Sequence, residues 1–358
     1  MSKPFEPRVG TPFEPPNPFN QYLNDSVKAI PRYLFRVSDP SSYGITSRAE
    51  VCSPAAQATI IEAVDLYKMP TEEAAQDLDV HLWWNCTPSG PGACNLVSWT
   101  SSLLIALQYG VYRHRSLQNP HEMSDIKILM VDTRQFDRNA FARDLQILAA
   151  FKEVSGEHKL GKLYEWRNGD LLSGEYLSQG KLVIDPKRSC QVSLEDLVTR
   201  GLFSVSIGLG DQEHWFRWIR RVEELRREMC YQSTELSAVV IKTAVRVSMA
   251  FEPFKLPAAI MLLSLSPYNF FRSISAIFGE LIKNGFEKEL RQNAAFAQFS
   301  LDSYTARLPE LHRWKDLYIC IAEQLTLNGY ESRRGMEEVD PEKDSTNDLN
   351  DAFSGLNI

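Results

Sequence analysis

Three polar residues on three separate apolar runs carry most of the chemistry this sequence offers. Ser98 lies in the stretch Val97 to Gly110, VSWTSSLLIALQYG. There a short apolar strand, Asn95-Leu96-Val97, runs into Ser98, Thr100 and Ser101, and a helix starts at once. Hydroxyls at a strand-to-helix junction cap the helix or line a cleft, and these can do both. Arg36 ends the apolar run Tyr33-Leu34-Phe35, and Glu175 opens Glu175-Tyr176-Leu177-Ser178-Gln179-Gly180. Arginine, serine and glutamate in that order on three strands suggest a nucleotide cleft. Taken singly, each has a plainer reading: Arg36 as a surface ion-pair partner, Ser98 as a helix cap, Glu175 as an exposed strand residue.

The elements that must position them are mixed. Strands are expected over 32–37, 95–99, 126–132, 160–164, 175–178 and 181–184, and helices over 54–67, 71–82, 101–115, 138–152 and 193–200. They do not alternate as regular βαβ units, so the region 31–210 reads as an α+β domain with a mixed β-core and flanking helices. Beyond residue 210 strand signals nearly vanish. Trp215, Trp218, Ile219, Val222, Leu225 and Met229 keep helical spacing, and further helices fit 234–251, 256–265, 268–284, 286–299 and 309–328. Region 211–330 is therefore expected to be all-α. Residues 1–30 are Pro-rich, repeat Pro-Phe-Glu-Pro at 4–7 and 12–15, and predict an extended, unpacked arm. Asn17-Pro18-Phe19 has the form of an adaptor-binding peptide, but a three-residue match favours a solvated arm. Residues 331–358 hold eight acids against three bases and predict a disordered acidic tail.

Composition narrows the function classes. The net charge of −7 argues against nucleic acid as a partner. The first residues lack the apolar stretch of a signal peptide, and the six cysteines are scattered, so reduced thiols in the cytoplasm or nucleus are expected. The run Leu256 to Phe271 is interrupted by Pro257 and Pro267, which predicts a buried helix and not a membrane span. Neither GxSxG nor HExxH is present, and Gly174 to Lys181 has the wrong spacing for a phosphate loop. His81, Cys86 and Cys94 could gather at a metal, but their spacing matches no familiar site and a fourth ligand is not evident, so a structural role is expected. His81-Leu82-Trp83-Trp84 reads as a helix end burying its aromatics. The arginine-rich helix 217–227, interleaved with Glu223, Glu224 and Glu228, reads as a self-paired solvated face.

With those residues in view, the 31–210 region resembles an uncharacterised domain recurrent in filamentous fungi. Beneath that it is similar to the Arg-Ser-Glu class of ADP-ribosyltransferases of the cholera-toxin type. Leu34-Phe35-Arg36 resembles the first-strand arginine motif, and Val97-Ser98-Trp99-Thr100-Ser101 the Ser-Thr-Ser strand, with Ala106 and Gly110 in the following helix. Ile128 to Phe136, ILMVDTRQF, resembles the next strand and turn, and Glu175 to Gly180, EYLSQG, the glutamate strand. Coverage is about half the chain, in short pieces. Trp99 departs from the small residue of the motif, and strand alternation would send its side chain to the face opposite Ser98 and Thr100. Ser173 stands where arginine-modifying relatives carry a second acid, which puts transfer to arginine in doubt.

The resemblance implies an NAD-consuming enzyme, a mono-ADP-ribosyltransferase or NAD glycohydrolase, performing a glycosyl transfer with NAD as substrate and without a metal. Glu175 would face the oxocarbenium-like charge that develops on the ribose, and Ser98 would hold Glu175 and the ribose edge. Arg36 would grip the pyrophosphate or adenosine end, and Thr100 and Ser101 would add contacts, with Ser101 doubling as cap of helix 102–115. The segment Glu165 to Asp170 would be a target-recognition loop, with a protein as acceptor or partner. The other reading the same residues allow is a catalytically inactive module that binds a nucleotide or a protein.

Overall fold

The computed structural model describes residues 11–15, 20–58, 64–89, 93–116, 119–154, 156, 158–230, 234–293 and 307–337. Nine strands are described: β1 Tyr33–Ser38, β2 Ile45–Thr46, β3 Glu50–Cys52, β4 Leu96–Thr100, β5 Lys127–Asp132, β6 Ala142–Arg143, β7 Glu175–Gln179, β8 Lys181–Val183 and β9 Ser189–Ser193. Six form one sheet in the order β6-β7-β4-β1-β5-β9, and β2-β3-β8 form a smaller one. The three strands that carry Arg36, Ser98 and Glu175 are thus β1, β4 and β7, immediate antiparallel neighbours. The fold is mixed α+β, as the spacing of the apolar residues predicts.

The α-helices of the first half are α1 Gln21–Ser26, α2 Pro54–Gln57, α3 Thr71–Leu82, α4 Leu103–His114, α5 Asp144–Phe151, α6 Leu160–Asn168, α7 Leu194–Thr199 and α8 Leu202–Val205. Those of the second half are α9 Ile219–Cys230, α10 Ala238–Ser248, α11 Lys255–Leu265, α12 Ile274–Lys283, α13 Glu287–Asn293 and α14 Pro309–Glu337. Two apolar clusters hold them. Ala74, Ala75, Leu78 and Leu82 form one stripe of α3 and pack with Leu96 and Leu177 of β4 and β7 in the smaller cluster. The larger cluster runs without a break from the sheet into the helical half. Tyr33 of β1 meets Phe254 and Trp314 edge-on, with ring centres 5.5 and 6.4 Å apart. Helix α11 is buried on every side, as expected for the Leu256 run, and no described helix is long and apolar enough to cross a membrane.

Several sequence expectations are corrected. Segment 160–164 is helix, because Leu160, Leu163, Tyr164 and Arg167 recur at helical spacing that a five-residue window cannot reveal. Of 138–152, only Asp144–Phe151 is helical; Ala142–Arg143 pairs with β7 instead. The described part of the N-terminal arm, residues 11–15 and 20–30, is packed. Phe13 of the second Pro-Phe-Glu-Pro is fully buried against Tyr67, its amide donates to Asn139, and Gln179 Nε2 donates to the carbonyl of Pro12. Helix α1 packs on α5. The first repeat, Asn17-Pro18-Phe19 and residues 338–358 lie outside the described residues. Helix α14 runs to Glu337, past the point where the acidic tail was expected to start.

Candidate functional site

The register of β4 and β7 decides which side chains meet. Thr100 pairs with Glu175 and Ser98 with Leu177, so Ser98, Thr100 and Glu175 share one face of the sheet. Trp99 pairs with Tyr176 on the other face, where its ring meets Phe141 edge-on and its indole N–H donates to Ser178 Oγ at 2.9 Å. The large residue in the hydroxyl motif therefore leaves the polar face clear.

On that face Ser98 Oγ donates to Glu175 Oε1 at 2.6 Å, a short charge-assisted bond. Arg36 reaches the same serine through its backbone: Nη1 donates to the Ser98 carbonyl at 3.1 Å and Nε to Thr46 Oγ1 at 2.8 Å. Among the described residues, Nη2 of Arg36 has no hydrogen-bond partner. Burial pulls the Arg36 guanidinium down to about 10, with Tyr109 opposing the shift. Thr100 and Ser101 have another role. Both are buried, and their hydroxyls donate to the carbonyls of Ser173 and Gly174 at 2.9 and 3.3 Å, pinning the entry to β7. Gly174 is left-handed there (φ 59°), and a Cβ would come within 2.7 Å of Ser101 Oγ and 2.8 Å of Leu308. The cap of α4 is Ser102, not Ser101.

Residues that the motif did not name complete the cluster. Arg167 of α6 places Nη1 at 2.6 Å from Glu175 Oε2 and 2.5 Å from Asp144 Oδ2, so each carboxylate oxygen of Glu175 has a partner. Residues 165–168, expected to belong to a recognition loop, are the last turn of this helix. On the other side His81 Nε2 lies 2.8 Å from Ser98 Oγ. Its Nδ1 lies 3.1 Å from Cys94 Sγ and 3.8 Å from Cys86 Sγ. The thiol of Cys86 is pulled down to about 5, by hydrogen bonds from Cys94 and His81 against the effect of burial, while that of Cys94 is pushed up. His81, Cys86 and Cys94, expected from their spacing to have a structural role, do gather, with their ligand atoms within 4.8 Å of one another. Trp84, expected to be buried, is 57 % exposed and leads an aromatic cluster with Tyr109 and Trp218, the last two 4.6 Å apart.

Sequence reasoning missed the role of Arg167, and it grouped His81 with Cys86 and Cys94 but not with Ser98, because both residues occupy helices with no motif of their own. The i, i+3, i+4, i+7 spacing of Leu160, Leu163, Tyr164 and Arg167 was the available signal for α6. The arginine-rich segment does pair largely with itself: Arg217 and Arg221 hold Glu224, Arg221 also holds Glu228, and Arg227 holds Glu223. The face is not solvated throughout: Arg221 is buried, and Arg226 turns inward to Glu310.

Residues 29–183 match a family model. The model is that of DUF7587, a domain of unknown function. The DUF7587 match covers Arg36, His81, Cys86, Cys94, Ser98, Asp144, Arg167 and Glu175, and it ends before β9 and the helical half. No curated protein and no solved structure matches the chain.

Proposed function

We propose that the cleft over β1, β4 and β7 binds NAD and cleaves its nicotinamide–ribose bond, as a mono-ADP-ribosyltransferase or NAD glycohydrolase. The observation that carries this reading is the 2.6 Å bond from Ser98 to Glu175 across adjacent strands, with Arg36 tied to the backbone of the same serine. In the proposed step the C–N glycosidic bond breaks and nicotinamide leaves with the electron pair. The positive charge on the ribose is stabilised by Glu175, whose rotamer Ser98 fixes. Water or a protein side chain then bonds to the ribose carbon and gives up its proton to the carboxylate. Arg36 Nη2 would hold a phosphate oxygen, and the aromatic cluster beginning at Trp84 offers a stacking surface for a base.

One observation favours the second reading, a nucleotide-binding module without turnover. Arg167 already neutralises Glu175, and an oxocarbenium ion gains less from a paired carboxylate. Nicotinamide release from NAD, measured on the full chain, separates the two. Release that falls about 10²–10³-fold in Glu175→Gln supports cleavage. Release unchanged by that substitution overturns the mechanism, and NAD binding without release moves the conclusion to the module.

A further inference from the structure

We propose that His81 Nδ1, Cys86 Sγ and Cys94 Sγ bind one thiophilic divalent cation, zinc above all, directly behind Ser98. The three ligand atoms lie within 4.8 Å of one another. Tetrahedral zinc, with bonds of about 2.3 Å to sulfur and 2.0–2.1 Å to nitrogen, needs its ligand atoms about 3.5–3.8 Å apart. The two nitrogen–sulfur distances, 3.1 and 3.8 Å, bracket the lower value. Two thiols and an imidazole are a soft donor set that selects zinc over magnesium or calcium. Three protein ligands leave the fourth position to water.

The protonation pattern points the same way. Ser98 has one hydroxyl proton and gives it to Glu175, so the 2.8 Å contact with His81 requires Nε2 to be the donor. In the neutral ring Nδ1 then carries a bare lone pair, aimed at the two sulfurs. A metal-binding histidine anchored through its other nitrogen has this arrangement. The Leu96 amide donates to Cys94 Sγ at 3.3 Å, a contact that stabilises a thiolate.

The backbone is bent to bring the ligands together. After α3 the chain turns at Trp84, a non-glycine residue with φ of 59°, and the Asn85 amide bonds back to Val80. A bulky side chain is disfavoured in that left-handed region. The turn carries Cys86 back to His81, and a β-bridge between Thr87 and Ala93 sets the residues beside Cys86 and Cys94 next to each other.

The test uses the full chain, reduced, stripped with a chelator and titrated with Co²⁺ in the absence of NAD. The expected result is one ion per chain with thiolate-to-cobalt charge-transfer bands and the intense visible bands of a tetrahedral site, displaced by Zn²⁺. Cys94→Ser should abolish stoichiometric binding, and Cys230→Ser, outside the cluster, should leave it unchanged. Ser98→Ala, which removes the anchor of Nε2, should weaken binding about 10-fold. A reduced wild-type chain that binds no cobalt overturns the proposal, as does a cobalt–thiolate band that survives in the Cys86→Ser/Cys94→Ser double variant. The wild-type spectrum decides even if a variant fails to fold. Because no turnover is read, the result is independent of NAD cleavage.

Discussion

The molecule contains the same three residue types twice, on serines four residues apart in the chain, and uses them differently. On the sheet, Ser98 donates to Glu175, whose other oxygen meets Arg167. At the junction of sheet and helical half, Ser102 donates to Glu310 at 2.5 Å, and Arg226 bonds to both oxygens of that glutamate and to the carbonyl of Leu172. The side chains of Glu175 and Arg167 are 14 % and 13 % exposed, whereas Glu310 is 2 % exposed. The sheet triad has further polar neighbours, Asp144 and His81; the junction triad is closed on itself and ties α4, α9 and α14 together. A serine–glutamate–arginine set therefore marks no site by composition. What the carboxylate can still reach decides that.

The largest expected effect tests the closed triad. Glu310→Gln leaves Arg226 buried without a counter-charge and should cost about 3–5 kcal/mol in urea unfolding followed by circular dichroism. Glu175→Gln should cost only about 1 kcal/mol, because Arg167 keeps Asp144. Equal costs would erase the distinction between the triads. Turnover should show the reverse order: nicotinamide release falls about 10²–10³-fold in Glu175→Gln and is unchanged in Glu310→Gln at temperatures where that variant is folded. The serines give a finer contrast. Ser98→Ala should lower release about 10-fold, the worth of one charge-assisted bond, with little change in stability. Ser102→Ala should lose about 1–2 kcal/mol of stability, as cap of α4 and donor to Glu310, with release intact. A fall in release in Ser102→Ala would merge the two sites into one.

The smallest effect is a pH dependence. Burial pushes the Glu310 carboxyl up, but the Arg226 charge and the bonds from Arg226 and Ser102 outweigh it, so it titrates below the ordinary 4.5. Because folding depresses this pKa, the stability it contributes is complete above the ordinary value and is lost as pH falls through the folded one. Unfolding free energy should therefore decline as pH drops below about 4.5, by up to about 1.4 kcal/mol per pH unit for this proton, and Glu310→Gln should remove that part of the slope.

Much of this was legible in the chain because it is local. Alternating and continuous apolar runs place β1, β4, β5 and β7 within about a residue, and acids after Pro70 start α3. The identities of Arg36, Ser98 and Glu175 follow from their strand positions, and alternation alone sends Trp99 to the opposite face. Packing of the second Pro-Phe-Glu-Pro was not legible, since a proline-rich arm reads the same whether or not Phe13 finds a cavity. Nor was the division of labour among Ser98, Thr100, Ser101 and Ser102. Four hydroxyls within five residues look alike until the approach of β7 and α14 assigns one to Glu175, two to backbone carbonyls and one to Glu310. The sequence by itself determined the strands and their polar residues. Only the tertiary structure decided that Arg167 and His81 flank Glu175 and Ser98, and that Cys86 and Cys94 share one imidazole. Hydrogen bonds and ion pairs act over about 3 Å in space, and separation along the chain carries no record of that distance.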